Sequence, residues 1–178
     1  MQQAAVFGGG NWVRDGEFWR VAREIGMLLA ELEYTVVTGG YGGAMEAVSE
    51  GAVAAGGRTF AYLHPHASDP APNPRVQQSE MRSDYLDRLS ALSRIPIGIA
   101  LPGSSGTLAE IAVAIALLQR FSHRLFALYH PYWFDRIMPL WGSVLSAEKC
   151  KNRICWFSRA GDLRSWLQST SNLPAGTI

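Results

Sequence analysis

The stretch Pro102-Gly103-Ser104-Ser105-Gly106-Thr107-Leu108-Ala109-Glu110 decides how this chain folds. It follows an apolar run at 97–101 and leads into a helical run at 108–118, so it predicts a strand, a glycine-containing turn and a helix. The first N–H groups of such a helix have no partner within it, and the helix dipole makes this end partly positive. We therefore expect an anion such as phosphate here, with Glu110 in the first helical turn beside it. The residues expected to contact it are Gly103, Ser104, Ser105, Gly106 and Thr107.

Thr107 and Glu110 also match a capping box, in which a threonine side chain and a glutamate satisfy N–H groups at a helix start. On that interpretation the stretch only begins a helix. Glycine turns upstream favour a ligand site instead, because each of them also follows a predicted strand.

Two such turns precede the first stretch. Gly8-Gly9-Gly10-Asn11 follows a predicted strand at 4–7, and Gly39-Gly40-Tyr41-Gly42-Gly43-Ala44-Met45 follows one at 34–38. A plain strand-to-helix turn is the alternative for the earlier one. The later turn lacks the third glycine and the following acidic residue of a dinucleotide fingerprint. The residues expected to bind phosphate here are Gly9, Gly10, Gly39, Gly40, Gly42, Gly43 and Met45.

Strand and helix patterns alternate along the chain without hairpin signals. This alternation predicts one α/β domain over residues 1–178, with a doubly wound, mostly parallel sheet, helices on both faces and a frayed tail from about residue 169. Ligands of such sheets bind at the carboxyl ends of the strands, where all three glycine turns lie. Strands are predicted at 4–7, 34–38, 59–63, 97–101, 124–129 and 154–157, and helices at 16–32, 43–55, 79–94, 108–119, 133–145 and 163–168.

Composition excludes several classes of function. The 178 residues are 48% apolar and 17% charged with a net charge of +1, which describes a globular protein without a nucleic-acid or membrane-binding surface. The longest apolar run, 111–118, is too short to span a bilayer, and no signal peptide is visible, so we expect a cytoplasmic protein. Cys150 and Cys155 are expected to be free thiols, and His64 and His66 lack a third metal ligand, so no metal site is predicted.

The two motifs together resemble the LOG-type family, the cytokinin riboside 5′-monophosphate phosphoribohydrolases, which were long mistaken for lysine decarboxylases. Its members carry P-G-G-x-G-T-x-x-E after one strand and G-G-G-x-x-G-x-M after an earlier one, and the resemblance covers residues 4–138. It implies a Rossmann-like fold, a homodimer, a small-molecule nucleotide substrate, and hydrolysis of the N-glycosidic bond without a cofactor. A decarboxylase would need a lysine for pyridoxal phosphate, and Lys149 and Lys151 lie far from every glycine turn in the sequence.

The resemblance assigns the catalytic glutamate to Glu110. The family's arginine precedes that glutamate by 23 residues, which falls on Asp87; a one-residue deletion would place it on Arg88, with Arg82 as the second choice. Without a site, Arg88 would only pair with Asp84 on the helix surface.

Three departures from the family pattern indicate a divergent branch. Ser104 replaces a motif glycine, Leu89 replaces a lysine, and Ala109 replaces a glutamate. The sequence therefore supports two functions. The first is a phosphoribohydrolase in which Glu110, kept ionised by the helix dipole, stabilises an oxocarbenium-like state and Arg88 holds Glu110 or the ribose. The alternative is a non-catalytic protein of the same fold that binds a nucleotide or a pterin-like cofactor.

Overall fold

A computed structural model describes residues 2–65 and 71–170. Over these residues seven strands form one sheet in which every pair of neighbours is parallel, in the order β4-β3-β2-β1-β5-β6-β7. This confirms the predicted doubly wound sheet. The strands are β1 Gln3–Phe7, β2 Thr35–Thr38, β3 Arg58–Leu63, β4 Gln78–Met81, β5 Ile97–Ala100, β6 Leu125–Tyr129 and β7 Ile154–Phe157.

Helices cover the sheet, and in the described residues a helix follows every strand except β3, which is followed by β4. Helix α1 packs against α2 and touches α7, whereas α4 contacts α3 and α6. Nearly every residue of β1, β5 and β6 is buried, although successive side chains point to opposite faces of a strand, so the core lies on both sides of the sheet. The helices are α1 Glu17–Glu31, α2 Ala44–Ala54, α3 Tyr85–Ser93, α4 Ser105–Arg120, α5 His130–Leu145, α6 Glu148–Lys151 and α7 Ala160–Thr170.

The predicted helix at 79–94 is wrong in its first part. Gln78–Met81 forms the edge strand β4, and α3 begins only at Tyr85, where the Asp84 carboxylate accepts the Asp87 N–H at 2.9 Å. All four residues of β4 are exposed and none is β-branched, so pairing with β3 rather than side-chain preference makes this strand.

Helix α4 begins three residues earlier than predicted. Its N-cap is Ser104, in extended backbone and without a side-chain capping bond, so the capping box of Thr107 and Glu110 is not formed. Glu110 therefore lies in the second helical turn rather than the first.

The C-terminal prediction also changes. Helix α7 continues to Thr170, so residues 169 and 170 are helical, and the rest of the predicted frayed tail lies outside the described residues. The short helix α6 was not predicted. No helix in the described parts of the chain is long and apolar enough to cross a membrane.

The sheet positions the three glycine turns. Strand β1 pairs with β2 on one side and with β5 on the other, and the connections from β1 to β2 and from β5 to β6 run in opposite directions across the sheet. The turns after β1, β2 and β5 consequently meet at one edge of the sheet, above the position where ligands of doubly wound sheets bind.

Candidate functional site

A cleft of about 140 Å³ opens where these turns meet. Its wall is built from the ends of β1 and β2, the start of α4 and one side of α3. Among the residues expected to bind phosphate, those that line it are Gly9, Gly10, Gly39, Met45, Ser104, Gly106 and Thr107.

Backbone hydrogen bonds lock the turn after β1 between the other two. The Gly9 N–H donates to the Pro102 carbonyl at 2.8 Å, and the Gly9 carbonyl accepts the Ala44 N–H at 2.8 Å. Gly43 has a φ of +63°, and a Cβ on it would lie 2.2 Å from the Gly9 oxygen. This close approach of two turns therefore requires glycine at 43.

The remaining predicted phosphate-binding residues do not line the cleft. Gly40 packs on Leu63, and a Cβ on Gly103 would lie 2.1 Å from Thr107 Oγ1. The structure gives these glycines packing positions behind the cleft wall. The residues placed outside the wall are Gly40, Gly42, Gly43, Gly103, Ser105 and Arg82.

The start of α4 supplies free N–H donors to this cleft. The first bond that closes the helix runs from the Leu108 N–H to the Ser104 carbonyl, so the N–H groups of Ser105, Gly106 and Thr107 have no partner within the helix. Because Ser104, Gly106 and Thr107 line the cleft, an anion bound there would meet these donors and the positive end of the dipole.

Arg88 and Arg82 have different surroundings. Arg88 lines the cleft and is only 8% exposed; among the described residues no carboxylate pairs with it, and its Nε has no hydrogen-bond partner. The expected surface pair with Asp84 is therefore not formed. Arg82 instead bonds Glu80 at 2.5 Å and Asp87 at 2.6 Å, outside the cleft. Of the two candidate arginines, the structure brings Arg88 to the predicted glutamate.

Glu110 is 9% exposed and lies in the same cleft. Burial raises the pKa of its carboxyl to about 7, an effect that the Arg88 charge partly offsets. Burial therefore works against the expected effect of the helix dipole, and its direction is the opposite of the one predicted from the sequence. Glu110 lies beyond the first turn, where the dipole is weak, and loss of water around the carboxylate dominates.

Tyr85 is the aromatic residue of the cleft that the sequence patterns did not reveal. It is 38% exposed, lines the cleft, and its hydroxyl lies 3.7 Å from the position of a Cβ on Gly106. Its position three residues before Arg88 on a helix was the available signal, because residues i and i+3 share a helix face.

Residues of α5 support the turn after β5 from behind. The Tyr132 hydroxyl donates to the Gly103 carbonyl at 2.8 Å, and the Trp133 indole N–H donates to the Leu101 carbonyl at 2.9 Å. The ring of Phe18 packs between Trp12 and Tyr132, so Trp12 has a packing position beside the turn after β1. These contacts fix the turn that leads into α4.

The other sequence features lie elsewhere. Cys150 and Cys155 are buried free thiols, as predicted, and burial raises the pKa of Cys155 to about 12. Within the described ranges no group of three histidine, cysteine, aspartate or glutamate residues could hold a metal ion, and His66 lies outside those ranges.

A model of the SLOG cluster4 family matches residues 1–121. An uncharacterized protein of Archaeoglobus fulgidus is 30% identical over 115 residues, which are 65% of this chain and 74% of that protein.

Solved structures share the fold. TM1055, a structural genomics target, superimposes with a TM-score of 0.78 at 24% identity, covering 95% of this chain and 99% of that one. The molybdenum cofactor binding protein of Rippkaea orientalis superimposes with a TM-score of 0.78 at 21% identity, covering 96% of this chain and 98% of that one. The molybdenum cofactor carrier protein of Chlamydomonas reinhardtii superimposes with a TM-score of 0.73 at 17% identity, covering 94% of this chain and 96% of that one. With the family model spanning all three glycine turns, Arg88 and Glu110, the chain belongs to the SLOG cluster4 family.

Proposed function

We propose that this protein binds a small phosphorylated heterocyclic compound, of the pterin or nucleotide class, without transforming it. The observation that carries the proposal is the meeting of two anion-binding features in one cleft. The N–H groups at the start of α4 have no partner within the helix and favour an anion, and the buried Arg88 supplies a positive charge that forms no ion pair with a described carboxylate.

The fold relatives favour a carrier over an enzyme. Two of them are named for binding or carrying the molybdenum cofactor, which combines a pterin ring with a phosphate ester. On this proposal the phosphate end of such cargo would lie at the start of α4, and its rings would extend towards Tyr85, which also lines the cleft. Ser104, in place of a motif glycine, leaves the backbone N–H groups in position but departs from the hydrolase pattern.

A binding panel tests this proposal. The purified protein is titrated calorimetrically with molybdenum cofactor, with adenosine, guanosine and cytidine 5′-monophosphates, and with the matching nucleosides that lack phosphate. We expect one phosphorylated compound to bind and its dephosphorylated form to bind at least tenfold more weakly, because charged hydrogen bonds contribute about 1.5–3 kcal/mol each. Equal affinity for both forms would rule out the anion site.

Glu110 supports phosphoribohydrolase activity as the second candidate. A carboxyl with a pKa of about 7 can exchange protons near neutral pH, which suits it to protonate a departing base or to stabilise a cationic ribose. The matched test incubates the parent protein and Glu110→Gln with the same monophosphates and quantifies free base and ribose 5-phosphate. Base release by the parent and not by the variant would establish hydrolase activity. If no base is released while the ligand still binds, the result supports the non-catalytic carrier function.

We further infer that two copies of the chain associate through α4, in line with the homodimer that the resemblance implies. Between Leu108 and Leu118 this helix has one charged residue, Glu110, which is buried, yet Leu108 is 41% exposed and Phe121 is exposed just beyond the helix. A second copy would remove this apolar surface from water. Sedimentation equilibrium should give a dimer for the parent and for Leu140→Glu, and a monomer for Leu108→Glu.

A further inference from the structure

The Arg88 guanidinium lies between two tyrosine rings. Its Cζ is 5.6 Å from the centre of the Tyr41 ring and 5.8 Å from the centre of the Tyr85 ring. The two rings come from different parts of the chain, the turn after β2 and the first residue of α3. Both distances are within the range in which a ring face attracts a cation.

Further contacts fix these rings. The Tyr41 hydroxyl accepts a hydrogen bond from the backbone N–H of His64 and donates one to the backbone carbonyl of His64, each at 3.1 Å. The His64 ring meets Tyr41 and Tyr85 edge-on, at 6.1 Å and 6.0 Å between ring centres. The Asn73 amide donates to the Gly40 and Tyr41 carbonyls at 3.0 Å and 2.9 Å. His64 and Asn73 thereby hold Tyr41 in place over Arg88.

The backbone of Gly39 also confines the guanidinium. A Cβ on Gly39 would lie 2.1 Å from Arg88 Nη2, so only glycine leaves room for the cation there. The guanidinium is thus restrained by ring faces and by a glycine backbone, and none of these contacts is a carboxylate that would neutralise it. Its donors are left for another partner.

We propose that Tyr41 and Tyr85 are positioning residues that hold the Arg88 cation ready for the phosphate group of the ligand. The inference rests on the proposed anion site and deepens it. A carboxylate would hold an arginine more tightly but would occupy its N–H donors, as Glu80 and Asp87 do at Arg82. Ring faces attract the charge and leave the donors available, which preorganises the site at small entropic cost on binding.

Chemical modification of Arg88 tests the inference with and without ligand. The protein is treated with phenylglyoxal, and the modification rates of Arg88 and Arg82 are measured separately by peptide mass spectrometry. Inorganic phosphate is the probe, and the concentration that halves the Arg88 rate reports its affinity. The variants are Tyr85→Leu, which removes the ring, and Tyr85→Phe, which keeps the ring face; residue 85 is partly exposed, so the fold tolerates both.

We expect Tyr85→Leu to react faster at Arg88 and to need about fivefold more phosphate for half-protection, the size of effect that a cation–ring contact at a partly exposed site gives. Tyr85→Phe should behave as the parent within about twofold, and the Arg82 rate should stay constant in all three proteins. Equal Arg88 rates and equal phosphate protection in Tyr85→Leu and Tyr85→Phe would overturn the inference. If phosphate protects Arg88 in none of the proteins, the proposed anion site fails, while the rates without phosphate still decide whether the ring positions Arg88.

Discussion

Arg82 with Asp87 and Arg88 with Glu110 are two sets of opposite charges in different surroundings. Comparing them shows how burial changes the protonation of a carboxyl and the availability of an arginine. Arg82 and Asp87 bond each other at 2.6 Å on the surface, and that bond lowers the pKa of Asp87 to about 2. Arg88 and Glu110 share a buried cleft, where loss of water raises the pKa of Glu110 to about 7. The surface pair neutralises itself, whereas the buried pair keeps a proton acceptor and a cation available for a ligand.

The largest effect is expected from Glu110→Gln on stability. The folded protein holds a proton on Glu110 up to about pH 7, whereas the unfolded chain releases it near 4.5. The free energy of unfolding of the parent should therefore fall as pH rises from 4.5 to 7, and the variant should lose this slope. In urea unfolding, the free energy of unfolding of the variant relative to that of the parent should rise by roughly 3 kcal/mol between pH 4 and pH 8. Parallel pH profiles would mean that Glu110 is ionised in the folded state.

The second prediction compares the two arginines directly. Arg88→Gln should weaken binding of the phosphorylated ligand by about 10- to 100-fold, because a buried charged hydrogen bond is lost. Arg82→Gln removes the same charge from the chain but lies outside the cleft, so its affinity should stay within about twofold of the parent. Calorimetric titration measures both; equal losses would assign the effect to overall charge.

A third prediction alters the surroundings of Arg88 without altering its charge. In Gly39→Ala the new Cβ would lie 2.1 Å from Arg88 Nη2, so the guanidinium must move away from the cleft wall. We expect ligand affinity to fall about fivefold, because the displaced guanidinium would keep only part of its charged hydrogen bond to the ligand. Gly161→Ala is the control, because a Cβ there meets nothing within 4 Å. An unchanged affinity for Gly39→Ala would show that the position of Arg88 does not matter.

The smallest effect is expected at the surface pair. The low pKa of Asp87 contributes stability that is present above pH 4 and is lost as pH falls through about 2. Asp87→Asn should therefore lower the melting temperature slightly at neutral pH, with a difference that disappears towards pH 2. A scan by circular dichroism measures it; a difference that persists at pH 2 would come from the hydrogen bonds that Ser83 donates to the Asp87 side chain rather than from the charge.

Much of this architecture could be predicted from local patterns. Alternating apolar runs and glycine turns predicted the parallel sheet, and the position of those turns predicted where the cleft would open. The edge strand β4 could not be predicted, because only its pairing with β3 makes it a strand and its side chains carry no strand signal.

The protonation behaviour of Glu110 could not be predicted from the sequence either. Glu110 has a helix start before it, which predicted an ionised carboxylate, but its burial depends on three turns that meet only in the folded chain. Tyr85 was missed for the same reason, since its ring partner His64, and Tyr41 on the same arginine, come from other parts of the chain.

The hydrogen bonds of Tyr132 and Trp133 to the turn after β5 have a consequence for how such sites diverge. Both residues lie beyond residue 121, where the match to the family model ends, yet they hold the backbone that presents the anion-binding N–H groups. A change in α5 could therefore retune ligand preference while every residue that touches the ligand stays the same. Transplanting the glycine turns alone into another member of the family would therefore not carry over the geometry of the cleft.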